Sequence, residues 1–238
     1  MEKPVTKEIK CYARCVLTGK HASLAGITLL LEALNLLLSA LALQAAPYES
    51  GVISILLYFG CSILVNIIYY ILLAGLYGIY LDIVNNRSYR WKDLFAAFTE
   101  HPEPVAIFSV IQYVLSYVLM QVVVWGLSIV INWAFYGEAE NLIISTAVVI
   151  LTTVLYIYLQ ISFAMVLFVR AADPWQSFGE MMKKGWQLMD GRRSRYFTMM
   201  LSFIGMYLLG LLSFGIGFLF VNPYVFTTEG YFYKMIEY

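Results

Sequence analysis

The amino-acid sequence predicts an all-α, polytopic integral membrane protein in one domain. Six transmembrane helices form three hairpins, with five crossings as the alternative, and a cytoplasmic interfacial amphipathic helix precedes each hairpin. Three observations point there. Of the chain, 61% is hydrophobic and only 13% charged, whereas soluble domains run near half apolar and about a quarter charged. Apolar runs at 24–43, 52–81, 105–133 and 142–169 reach or exceed the roughly 20 helical residues that a hydrocarbon core of about 30 Å requires. The basic residues, finally, fall in alternate connections, as the positive-inside rule asks of a multi-pass protein.

The first segment, 1–21, is basic and polar, with Lys3, Lys7, Lys10, Arg14 and Lys20. Thr6 can serve as an N-cap, Ile9, Tyr12, Ala13, Val16 and Leu17 recur at helical spacing, and Gly19 is a stop. Such a helix suits an anionic membrane surface. Cys11 and Cys15 lie one turn apart on it; idle reduced thiols are the simpler reading, a palmitoylation pair the sharper one. With Cys61 they make three cysteines, too few for a disulfide framework or a zinc site.

Hairpin 1 occupies 22–81. A cleaved signal peptide is the rival for its first run, with small residues at Ala42, Ala45 and Ala46, but the run is long for a signal core and contains Glu32. Pro47 and Glu49 mark an external turn. The second run goes about thirty residues without a charge, so it must tilt or project its Tyr77–Asp82 end past the lipid. The connection 82–104 carries Arg87, Arg90 and Lys92, with Trp91, Leu94, Phe95 and Phe98 as an apolar stripe. Pro102 and Pro104 break it.

Hairpin 2, 105–169, turns through acidic residues at Glu138 and Glu140. The connection 170–195 is the most basic: Arg170, Lys183, Lys184, Arg192, Arg193 and Arg195. Asp173 and Pro174 are expected to open its helix. Trp175, Phe178, Met182, Trp186 and Met189 form its stripe, and Gly191 is its stop. In 196–238 the Gly215–Gly217 pair suggests a third hairpin, although Asn222, Glu229 and Lys234 weaken the return. The external turns contain no Lys or Arg. The N-terminus and the long connections are therefore expected in the cytoplasm of a multi-pass cell-membrane protein.

The C-terminal third carries Asp173-Pro174, Trp186-Gln187-Leu188-Met189-Asp190-Gly191 and Leu201-Ser202-Phe203-Ile204-Gly205. It continues with Leu209-Gly210, Gly215-Ile216-Gly217, Pro223-Tyr224, Thr227-Thr228 and Phe232-Tyr233. In these residues it resembles a family of bacterial integral membrane proteins catalogued as domain of unknown function 975. Leu17-Thr18-Gly19-Lys20 and Asp93-Leu94-Phe95 with Phe98 agree more loosely. Met181 and Gly230 stand where the family tends to have Ala. The resemblance implies a polytopic membrane protein with no established activity, so it transfers no catalytic residue. The chain is similar, more distantly, to the membrane domains attached to some glycerophosphodiester phosphodiesterases, whose soluble catalytic part it does not contain.

Candidate chemistry is sparse. His21 and His101 belong to no metal-spaced cluster, and the sequence has no phosphate-binding Gly-Lys-Ser/Thr loop and no Gly-x-Ser-x-Gly elbow. A non-enzymatic protein with no cofactor is expected. With 15 basic against 15 acidic residues, no global field draws nucleic acid. Glu32 is the acid nearest the middle of a clear span, and Asn35 stands one turn on; Asn66 and Gln160 are candidate hydrogen-bond partners. A costly intramembrane carboxyl is either a helix fastener or a midplane site in a small transporter or permease component. Lys183, Lys184, Arg192, Arg193 and Arg195 suit anionic lipid headgroups, or a docking surface for a partner protein.

Overall fold

The computed structural model describes residues 6–44, 51–136 and 142–237. The two expected external turns, around Pro47 and Glu138, lie outside them. Among the described residues every regular element is helical. In chain order these are α1 (Thr6–Leu17), α2 (His21–Leu43), α3 (Val52–Val84), a 3-10 turn at Trp91–Phe95, α4 (Ala96–Thr99) and α5 (Glu103–Tyr136). Then come α6 (Leu142–Phe163), α7 (Val166–Ala172), α8 (Phe178–Met189), α9 (Arg193–Leu201), α10 (Ile204–Leu212) and α11 (Phe218–Glu237). Five stretches are long and apolar enough to cross a membrane: His21–Leu43, Val52–Val84, Glu103–Trp133, Leu142–Ala172 and Arg193–Leu212.

The core sits at one end. Every buried residue of α3 lies from Ile71 onward, and those of α2 are Leu24, Ile27, Thr28 and Leu31, with only Ala42 near its far end. Elsewhere Leu36, Leu37 and Leu41 of α2 and Val52, Ile53, Leu56 and Leu57 of α3 are exposed. A contiguous apolar surface of this kind is stable only against lipid or protein. At about 1.5 Å per residue, the 33 residues of α3 extend to about 50 Å, well past a hydrocarbon core of about 30 Å. The excess is wrapped by the short helices, which form a collar around the end of α3.

Close backbone contact docks that collar. A Cβ on Gly75 would stand 2.1 Å from the Leu94 carbonyl oxygen, so only glycine lets the 3-10 turn rest on α3. Val84 ends α3 with a carbonyl that accepts from Lys234 Nζ at 3.2 Å and from the Tyr12 hydroxyl at 3.4 Å. These donors satisfy one of the carbonyls a helix end leaves open.

Two expectations are corrected. α1 does not present its apolar stripe to a lipid surface: Ile9, Ala13 and Leu17 are buried in the protein core. Tyr12 stacks on Tyr231 at 4.0 Å, and Arg14 Nε donates to the Tyr224 hydroxyl at 3.1 Å. An amphipathic stripe fits a protein groove as well as a bilayer, and α11 supplies the groove. α8, secondly, starts at Ser177, not at Asp173. Ser177 accepts from the Glu180 backbone N–H, and Glu180 accepts from the Ser177 N–H at 3.0 Å, a capping box. Asp173 caps only a local turn, accepting from the Trp175 N–H at 3.2 Å.

Candidate functional site

Hairpin 3 is the element that shapes a site around Glu32. Its first arm is α9 and α10, its second α11, and its tip runs through 213–217. Ser213 Oγ accepts from the Gly217 N–H and donates to the Gly210 carbonyl, both at 2.8 Å. Phe214 and Gly215 take positive φ, 52° and 89°, and the Gly215 N–H donates back to Gly210 at 3.1 Å. A Cβ on Gly217 would meet Gly210 Cα at 2.7 Å, so the arms meet backbone to backbone. The tip thus satisfies much of its own polarity while showing apolar side chains. Phe214 is 99% exposed, and Leu211, Leu212 and Ile216 are exposed beside it. That combination suits hydrocarbon.

The tip ends beside the middle of α2. Gly215, Phe218, Leu219 and Asn222 line one recess of about 410 Å³ together with Tyr207, Thr28, Leu29 and Glu32. Glu32 is the twelfth of the 23 residues of α2. Asn35 does not share this recess. It borders a second one, of about 330 Å³, with Ser39, Tyr58, Ser62, Asn66 and Tyr113. The expected pairing of Glu32 with Asn35 and Asn66 therefore splits in two. α2 turns Glu32 toward hairpin 3 and Asn35 toward α3, while Gln160 Nε2 donates to Gln112 across hairpin 2 at 3.5 Å.

The basic residues of 170–195 have diverged in role. Lys183 is exposed. Lys184 pairs with Glu237 at 2.9 Å, and Arg192, in the turn before α9, donates back to the Leu188 carbonyl of α8 at 3.0 Å. Arg193 turns inward: Nε donates to Ser162 Oγ at 3.0 Å, Nη1 meets Asp190 at 3.3 Å, and the guanidinium lies over the Tyr158 and Trp186 rings. Arg195 is half-buried. As a docking patch the group is reduced, because two of its five charges, Lys184 and Arg193, already fasten α8 and α9 to the rest.

Two sites escaped the sequence reading. Glu229, on α11, is buried and accepts from the Tyr196 hydroxyl at 2.5 Å. Arg170 is 2% exposed and holds the carbonyls of Glu100 and, at 3.0 Å, His101. Both had a signal in the sequence: a lone charge within, or at the end of, an apolar run.

A family model described as protein of unknown function (DUF975) matches residues 1–238. The chain belongs to that family. No curated protein and no solved structure matches it. This DUF975 protein combines an open recess lined by the Glu32 carboxyl with a packed collar at one end.

Proposed function

We propose that this protein is a non-enzymatic, multi-pass cell-membrane protein that acts through lipid and partner-protein contacts, with its N-terminus and collar in the cytoplasm. In this reading α2, α3, α5 and α6 cross the bilayer. Hairpin 3 enters from the cytoplasm and turns back near the midplane, so both termini are cytoplasmic and the crossings number four, fewer than the six or five expected from hydropathy. The carrying observation is the exposed, self-capped tip at Phe214–Gly215 beside the middle of α2. The clustering of Lys and Arg in the collar connections supports the orientation.

The test uses a background in which Cys11, Cys15 and Cys61 are replaced. Phe214→Cys is expected to resist a membrane-impermeant maleimide from both sides, and a reporter fused after Tyr238 to be active in the cytoplasm. An external C-terminal reporter would sink the half-crossing hairpin.

A second reading is a small transporter or permease component with its site at Glu32. It is favoured by one observation: a hairpin tip meets a carboxyl in a laterally open recess, and broken helices at mid-depth are how many transporters build their sites. Glu32→Gln should abolish cation- or proton-linked flux in vesicles without altering folding. Unchanged flux removes this reading.

A further inference from the structure

A third recess, of about 390 Å³, opens at the collar end, between α3, the 3-10 turn and α7. Its lining includes Gly78, Asp82, Arg87, Arg90, Glu100 and Arg170. Arg87 pairs with Asp82 at 3.8 Å and Arg90 with Asp93 at 3.6 Å, so these charges offset one another. Arg170 is different. It is buried, its Nε has no hydrogen-bond partner, and among the described residues no carboxylate lies within ion-pair distance of it. Its only acceptors are the neutral carbonyls of Glu100 and His101. Glu100, Asp173 and Glu103 offset its charge only from beyond ion-pair distance. A buried guanidinium without a contacting counterion or a full set of acceptors is costly, and an oxyanion in the recess would supply both.

We propose that this recess binds a zwitterion joining a phosphate or similar oxyanion to a primary ammonium, the chemistry of a phosphoethanolamine headgroup. The oxyanion meets Arg170. The ammonium meets Glu100, which is exposed and has no ion pair among the described residues. A bare anion would face the carboxylates of Asp82, Asp93 and Glu100, and a bare cation three guanidiniums; a ligand carrying both charges matches the lining. The floor is open at Gly78, where an added Cβ would meet nothing within 4 Å. Trp91 and Trp175, both exposed, follow the lining residues Arg90 and Pro174. Exposed tryptophans sit at headgroup depth in membrane proteins, which favours a lipid as the source. The proposal deepens the lipid-contact reading above by naming the lipid chemistry.

The experiment uses the full chain, purified in detergent and titrated calorimetrically with phosphoethanolamine, inorganic phosphate and ethanolamine. The same chain is then placed in nanodiscs of phosphatidylcholine doped with phosphatidylethanolamine or phosphatidylglycerol, and retained lipid is counted by native mass spectrometry. Phosphoethanolamine is expected to bind more tightly than either half alone, and Arg170→Gln to weaken it about tenfold or more. Arg170 also holds the collar, so Gly78→Leu serves as the variant that fills the recess without touching that tether; it should abolish binding in a folded protein. Selective retention of phosphatidylethanolamine, lost in Gly78→Leu, identifies the lipid source. Binding of free phosphoethanolamine with no lipid selectivity identifies a soluble source and leaves the membrane reading untouched. Equal binding of inorganic phosphate, equal affinity in Gly78→Leu, or no binding in either format overturns the proposal.

Discussion

The Tyr196 hydroxyl donates to the Glu229 carboxyl at 2.5 Å, joining the two arms of hairpin 3 through a pair of buried side chains. Removing the donor strands a buried acceptor, which costs about 1–3 kcal/mol. Tyr196→Phe should therefore lower the thermal unfolding midpoint in detergent. Glu229→Gln keeps an oxygen that can accept from Tyr196, so it should be milder than Glu229→Leu. Equal midpoints for all three variants would show that the bond carries no stability.

Gly75 and Gly78 lie one turn apart on α3 and should respond oppositely to alanine. At Gly75 the new methyl meets the Leu94 carbonyl, and displacing the 3-10 turn should cost about 1–3 kcal/mol. At Gly78 the methyl enters open space, and the gain in helix propensity is up to about 1 kcal/mol. Proteolysis at 85–100, with each variant compared to the parent, reads the difference directly.

Arg193 and Lys183 are both basic collar residues, yet only the first is packed. Arg193→Met removes charge-assisted hydrogen bonds and ring stacking, a loss of about 2–3 kcal/mol. Lys183→Met should leave the unfolding midpoint nearly unchanged, since the side chain is exposed. If Lys183 takes part in lipid or partner contact, its substitution shows in vesicle or partner binding instead.

The capping box of α8 predicts a pH response. The Ser177 hydroxyl, and then the Ser177 backbone N–H, hold the Glu180 carboxyl below the ordinary glutamate range. Because the folded-state value is depressed, this contribution is full above the unfolded value of about 4.3 and is lost as pH falls through the depressed one. Carboxyl-carbon NMR of Glu180 should follow that midpoint, and Ser177→Ala should move it back toward the ordinary value. An unmoved midpoint would remove the cap from the account of where α8 starts.

Much of the helix pattern was legible because hydropathy and breakers act locally. The run from Val52 and the stop before Gly191 were readable from order alone, as was α1, whose predicted stripe matches its buried face. The Ser177-x-x-Glu180 signature is equally local, whereas Asp173-Pro174 looks like a helix start but closes only a turn. Spans were harder to count, since Arg193–Leu212 has the length and composition of a crossing whatever path it takes.

By itself, then, the sequence determined that the chain is helical and apolar enough for a membrane, that its charges gather in alternate connections, and to which family it belongs. These properties are sums over neighbouring residues. Only the tertiary structure decided that α1 is packed on α11, that Glu32 and Asn35 face different recesses, and that Arg193 points inward while Arg170 is buried without a contacting carboxylate among the described residues. Each of these depends on which helix faces are brought together, and residues such as Arg14 and Tyr224, 210 positions apart, carry no local signal of their meeting. The tip of hairpin 3 is the sharpest case. Composition marks its arms as membrane-like, but only its contact with the middle of α2 reveals how far it reaches.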